Sequence, residues 1–210
     1  MRARAASRPL LMKSRRKQPT ATRQAILAAA GALFSRQGYA ATGIGAIVER
    51  SGLTKGAIFH HFADKRDLAL CWMREDLAAQ VGKDWIEPLE GIEGLAQLIT
   101  FWRSACARLG AEDACSALVA LAAETALVDE TLREGLEEIF QAWRQAIAAV
   151  LARGQREGWI HRSIVPQTEA GLLLSLVAGS TVQIKCQQGR GQQDALASAV
   201  AAYLETLRPA

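Results

Sequence analysis

Thr42 to Leu68, TGIGAIVERSGLTKGAIFHHFADKRDL, decides the fold, because its apolar residues recur at helical spacing in two short runs parted by a glycine. Ile44, Ile47 and Val48 give the first run one apolar side. Ser51-Gly52 ends it, since glycine accepts the left-handed conformation that a helix C-terminus needs. Leu53 plugs the turn, and Thr54 stands where a hydroxyl can N-cap a second helix. On that helix Lys55, Gly56, Phe59 and His60 share one side, and Ala57, Ile58 and His61 the other. The spacing predicts a helix packed through one side with a cationic, aromatic side left free. That is the arrangement of a helix-turn-helix whose second helix enters a major groove of DNA.

Each residue of that free side has a physical use. Gly56 admits a sugar-phosphate backbone at close range. Phe59 can lie against a sugar or a thymine methyl, and His60 faces the same way; a Phe59 that packs inward would be an ordinary core residue. His61 is expected to pack or hydrogen-bond inside the motif. Adjacent histidines on a helix point about 100° apart, and no third ligand stands near, so no metal is expected. Asp64 is placed to cap a third helix, with Asp67 three residues on in capping-box position. Lys65 and Arg66 in its first turn, together with exposed backbone amides, would make an anion site suited to a DNA phosphate.

The run G-L-T-K-G-A-I-F-H-H-F-A-D-K-R-D-L closely resembles the signature of TetR-family regulators, with its small-residue turn, Lys-Gly pair, aromatic-x-His-Phe and downstream Lys. The helix Thr22 to Gln37 and the Gly38-Tyr39 to Thr42 connection resemble the same family's first helix and loop. The resemblance is close over residues 22–70 and extends beyond them in helical layout and length. Phe59 departs from it by replacing the usual tyrosine, as do Gly43 and Gly45, where a β-branched residue and a better helix former are common. The resemblance implies an all-α chain with an N-terminal three-helix DNA-binding domain and a C-terminal helical domain for effector binding and dimerisation. It implies Thr42, Thr54, Lys55, Gly56, Phe59 and His60 at the groove, and Lys65 on a phosphate. A homodimeric repressor that binds an inverted-repeat operator in double-stranded DNA, and is released by a small molecule, is the expected function. A thiol-based redox or electrophile sensor and an effector-independent DNA binder are the alternatives.

Charge agrees with that division. Residues 1–66 hold 13 Lys and Arg against 2 Asp and Glu, a net of +11, whereas residues 67–210 hold 12 against 19, a net of −7. The basic end should meet the polyanion, and the acidic remainder should avoid it. The expected domains are a disordered basic arm at 1–19, a DNA-binding domain at 20–66 and a helical ligand-binding and dimerisation domain at 67–210. The arm could touch a minor groove or neighbouring phosphates, or have no role. Its Leu10-Leu11-Met12 is too short an apolar core for a signal peptide, and Leu172 to Val182 is too short to span a bilayer. With four cysteines scattered outside any C-x-x-C spacing, a reducing cytoplasm without disulfides or zinc is expected.

The rest of the chain shows apolar stripes at helical period. The helix opened by Asp64 is expected to run to about Trp85 and to stop at Pro88. Leu95, Ile99, Trp102, Cys106 and Leu109 form one stripe, and Cys115, Leu118, Val119 and Ala122 a shorter one. Leu132, Leu136, Ile139, Trp143, Ile147 and Val150 stripe a long helix between a cap at Asp129 and Gly158. Leu172 to Ile184, apolar on more than one face, is expected to pair with the last helix and with a second copy. Trp102, Cys106, Glu124 and Trp143 are the candidate ligand-binding residues, with Trp85, Trp159 and Arg103 near them, because helical pockets are mostly apolar with few polar anchors. For each tryptophan, plain core packing competes with this. Cys106 and Cys115 could sense oxidants, or serve as small core hydrophobes. Gly43-Ile44-Gly45 and Gly189-Arg190-Gly191 lack the rest of any phosphate-binding pattern, and no nucleophile elbow, metal cluster or cofactor motif occurs, so catalysis is not expected.

Overall fold

Thr54, Asp64 and Asp129, the residues expected to open helices, all do so in the computed structural model, which is described over residues 19–110, 113–186 and 191–209. Each cap accepts a hydrogen bond from the backbone N–H three residues on, the geometry that satisfies an otherwise orphaned donor. The described residues form nine helices and no strand. They are α1 Pro19–Gln37, α2 Ile44–Ser51, α3 Lys55–His61, α4 over residues 65–90, α5 Leu95–Ala107, α6 Ala114–Thr125, α7 Glu130–Glu157, α8 Pro166–Cys186 and α9 Gln192–Glu205. The expected basic arm lies outside the described residues, apart from its last position. The boundary expected at 66/67 falls within the first turn of α4, so α4 is continuous from the helix-turn-helix into the larger helical body.

α1 is buried on more than one face: Ile26, Ala30 and Phe34 are in the core, and so are Leu27 and Ala29. The cause is position, since α1 packs on α2, α3, α4 and α6 together. α4 passes through two π-helical turns, Met73–Leu77 and Gly82–Ile86, and does not stop at Pro88. After the second π turn the Glu87 N–H donates to the Gly82 carbonyl, five residues back. Pro88 then sits in the first turn of a short last segment, where a missing N–H costs nothing, and the helix ends at Glu90, two residues past the expected stop.

Farther on, α5 lies along α9, α7 along α8, and α8 also touches α6 and α9. Leu132, Leu136, Ile139, Trp143, Ile147 and Val150 are all buried, as the period predicts, and Gly158 ends α7 with a φ of 83°. Leu173, Leu174, Val177 and Ile184 turn α8 inward, whereas Leu172, Leu176 and Val182 remain exposed on its outer side. No helix among the described residues is long and apolar enough to cross a membrane.

Candidate nucleic-acid interface

The two short helices meet through a tight turn. Gly52 takes a φ of 65° and its N–H donates to the Val48 carbonyl at 3.0 Å, closing α2 in a conformation that costs a residue with a Cβ. Thr54 Oγ1 then accepts from the Ala57 N–H at 3.1 Å and opens α3. Ile47 and Ile58 are fully buried and fix the two helices on a shared core.

The facing predicted from spacing is the facing observed. Thr54, Lys55, Gly56, Phe59 and His60 are exposed, while Ile58 is buried and Ala57 and His61 are half-buried. Phe59 is 43% exposed, which removes the inward-packed alternative. Lys55 Nζ lies 5.8 Å from its ring centroid, so the cation and the aromatic form one continuous patch. A Cβ built on Gly56 would meet only the hydroxyl of Thr54, at 3.9 Å, so the backbone there is open to a close neighbour. Among the described residues no group of three His, Cys, Asp or Glu side chains could hold a metal.

Three expected contacts are altered by the tertiary structure. Thr42 is 0% exposed; its hydroxyl donates to the Gly38 carbonyl at 2.7 Å and accepts from Gln37 Nε2 at 3.2 Å. It fastens the α1–α2 turn and has no side-chain atom to offer DNA, a correction that follows from the chain folding back on the end of α1. Lys65 is half-buried, with Nζ donating to the Tyr39 carbonyl at 3.1 Å and lying 4.3 Å from the Tyr39 ring centroid. An ammonium has three donors, so a phosphate contact stays compatible with this tether. Burial, with Asp129 and Asp64 nearby, raises the Tyr39 phenol above its ordinary range and keeps this platform neutral. Arg66 leaves the expected anion site: its Nε lies 2.9 Å from Asp129 Oδ2, and it also donates to the Thr131 hydroxyl. The Asp67 amide is taken by Asp64 Oδ1 at 2.8 Å, so that helix start is already capped.

Glu124, expected to line a ligand cavity, reaches out of α6 to the DNA-binding end. Its carboxylate accepts from the Ala40 N–H at 2.7 Å, and a Cβ on Gly38, whose φ is 88°, would fall 2.2 Å from Glu124 Oε1. Glu124 and Asp129 therefore clasp the α1–α2 turn and the start of α4 from the two ends of the α6–α7 corner. The partners are 84 and 63 residues apart in sequence, and no local pattern foretells them.

The remaining ligand candidates divide. Trp102 and Trp143 are fully buried and converge on Trp85, whose ring centroid is 5.9 Å from the first and 4.8 Å from the second. Phe101, which sequence reasoning passed over, joins them at 6.5 Å from Trp85. Cys106 is buried one turn beyond Trp102 on α5. Arg103 instead lines a surface groove between α5 and α9, and Trp159 packs at the end of α7 with its N–H on Glu157. The Nε1 atoms of Trp102 and Trp143 are buried without a hydrogen-bond partner, an arrangement that costs about 1–3 kcal/mol for each such group. Burial pushes the Cys106 thiol up to about 12 and raises that of Cys115 further, so both are neutral thiols at ordinary pH.

With this geometry in place, the comparisons with known proteins are specific. The model of "Bacterial regulatory proteins, tetR family" matches residues 26–70, and that of "Transcriptional regulator LmrA/YxaF-like, C-terminal domain" matches residues 91–192. The chain is 31% identical to the HTH-type transcriptional regulator LmrA of Bacillus subtilis over 178 residues, 78% of this chain and 90% of that one. It is 29% identical to the regulator YxaF of the same organism over 168 residues, covering 74% and 85%. The crystal structure of a TetR transcriptional regulator from Chloroflexus aurantiacus superposes with a TM-score of 0.80 at 25% identity, over 91% of this chain and 98% of that one.

Proposed function

The chain belongs to the TetR family of bacterial regulatory proteins, DNA-binding transcriptional regulators that are not enzymes, and on that premise we propose that it is a homodimeric repressor released from an inverted-repeat operator by a small molecule. The exposed Lys55, Gly56, Phe59 and His60 face of α3 carries the DNA half of this reading. That face is cationic and aromatic, and it stands on a fully buried Ile58, so it can enter a groove without unfolding anything. Thr54 and the remaining donors of Lys65 would fix register on phosphates, and the α3 side chains would read base edges. Catalysis is not part of this function.

Two further features support the regulatory half. The Leu172, Leu176 and Val182 stripe on α8 is an apolar surface of the kind that a second copy covers in an isologous interface, which would set two recognition helices on a dyad. Trp85, Trp102 and Trp143 form an aromatic centre on α4, α5 and α7, and α4 begins in the DNA-binding end. A ligand that moves this centre moves α4 as well. Neutral, buried thiols at Cys106 and Cys115 weigh against thiol sensing. A cytoplasmic location fits this function.

Selection of bound sequences from random duplex DNA by the purified full chain, followed by titration of the selected site against a scrambled duplex, tests the proposal. A site with dyad symmetry, preferred by the roughly 10³-fold or more that specific binders show, is expected. A specificity ratio near one would favour an effector-independent architectural protein.

A further inference from the structure

We propose that the groove between α1, the end of α2 and α4, outside the core of the helical body, is a ligand site for a small zwitterion of amino-acid type, with its carboxylate on the Trp72 indole N–H, Arg36 and Arg50 and its ammonium on Asp76. These four residues line a groove of about 550 Å³, and the small side chains of Ala28, Ala32 and Ala79 keep it open. The groove joins the helix-turn-helix to the stretch of α4 that leaves it. A ligand that prefers one pose of α4 there changes operator affinity by the same factor by which the operator changes its own.

Two independent observations point to such a ligand. A Cβ built on Gly31 would fall 2.0 Å from Trp72 Nε1, so a glycine, a poor helix former in the middle of α1, is what admits the indole N–H to this place. Trp72 is 5% exposed, and unlike Trp102 and Trp143 it keeps its Nε1 in contact with solvent; among the described residues that N–H has no acceptor. An indole N–H only donates, so what it lacks is an acceptor from outside. Charge supplies the second observation. Arg23 is already held by Glu75 through both of its Nη atoms, whereas Arg36, Arg50 and Asp76 are in no ion pair among the described residues. Burial, and then Glu75, raises the Asp76 carboxyl above its ordinary range, as befits a carboxylate short of a cation. Two cations and a carboxylate that line one groove without neutralising one another repel a simple anion in one part and a simple cation in another, and they match a molecule that carries both charges.

The test contains no DNA, so it does not depend on the repressor reading. In the nitrogen-15-labelled full-length protein each tryptophan gives one indole N–H signal by nuclear magnetic resonance, and the signal absent from Trp72→Phe belongs to Trp72. The probe is 6-aminohexanoate, whose flexible chain lets its two charges find their partners; hexanoate and hexylamine, which each lack one of those charges, are the references. The zwitterion is expected to shift the Trp72 signal, to leave the other indole signals in place, and to bind more tightly than either reference by about tenfold or more, the worth of one charge-assisted hydrogen bond. Asp76→Asn should reduce its affinity to that of hexanoate, and Arg36→Gln with Arg50→Gln to that of hexylamine. These substitutions alter exposed or half-buried side chains, and unchanged signals from the buried tryptophans show that the fold is kept. A Trp72 signal that does not move with millimolar 6-aminohexanoate, an affinity no better than that of a reference, or an affinity that survives both sets of charge variants overturns the inference.

Discussion

Gly38 and Glu124 show how much a single close approach can decide. The Glu124 carboxylate reaches the Ala40 amide only because Gly38 has no Cβ, and the φ of 88° at Gly38 is one that other residues adopt at a cost of roughly 1–2 kcal/mol. Gly38→Ala is therefore expected to lose that amount and, in addition, the Glu124 contact. Glu124→Ala alone should cost less, about 0.5–1.5 kcal/mol at most, because its partner amide is exposed and water can replace the carboxylate. Denaturant unfolding of both variants and of the double variant checks this. The double variant should be less destabilised than the sum, since the steric part of Gly38→Ala vanishes when Glu124 is gone. Strict additivity would mean that the two residues do not meet in solution. Cysteine chemistry gives a second check at this scale. Cys106, held up to about 12 by burial, and Cys115, raised further by burial, should resist iodoacetamide in the native protein from pH 7 to 9, while the exposed Cys186 is alkylated. The accompanying stability has a definite sign: it is complete below the ordinary thiol value of 9.0 and falls as pH rises toward about 12, because only the unfolded thiol ionises in that window. Mass spectrometry finding Cys106 or Cys115 labelled as fast as Cys186 would reopen the thiol-sensor alternative.

Among the elements, α3 was legible in full and α4 only in part. Lys55, Gly56, Phe59 and His60 face out because Ile58 must face in, a consequence of helical period that needs no tertiary information. Caps at Thr54, Asp64 and Asp129 were legible for the same reason, since each bond spans three residues. The contacts of Thr42, Arg66 and Glu124, and the Tyr39 tether of Lys65, escape the sequence because the partners lie on other elements or in a turn whose path no period encodes. The stop expected at Pro88 falls two residues later, at Glu90, because the π turn upstream sets the proline in the first turn of a new segment. The facing of α3 makes a quantitative expectation. Phe59→Tyr should leave folding unchanged, as the para position of a 43% exposed ring has room for a hydroxyl, and should gain about 0.5–1.5 kcal/mol of operator affinity through a bond to a phosphate. Lys55→Ala should weaken the selected operator more than random duplex, since Lys55 faces the base edges. Lys65→Ala should weaken all duplexes alike, flatten the log-log salt slope by about 0.9 through the loss of one phosphate contact, and also lower stability, because it removes a tether to Tyr39. Destabilisation by Phe59→Tyr without a change in affinity would place Phe59 inside the fold.

At the scale of the whole molecule, the charge division, the clasp at the α6–α7 corner and the outer stripe of α8 describe one machine with a basic reading end and an acidic body. The proposed pairing of two such molecules has a direct test at the outer stripe of α8. Leu172, Leu176 and Val182 are 43%, 37% and 51% exposed, and they lie on one side of a helix whose other side is the core of the body. Leu172→Glu with Leu176→Glu puts two like charges on each copy's stripe and leaves Leu173, Leu174 and Val177 untouched in the core. The double variant should keep its helical content and its thermal transition, apart from the stability that association itself adds, and should be monomeric by light scattering at micromolar concentration. Its affinity for a single half-site should equal that of the unaltered protein, since α3 lies in a different part of the chain. For the inverted repeat it should lose the gain that comes from tethering two reading heads, on the order of 10²-fold or more. A double variant that still sediments as a dimer would move the interface elsewhere on the body, and one that stays monomeric yet binds the repeat undiminished would remove the dyad from the mechanism.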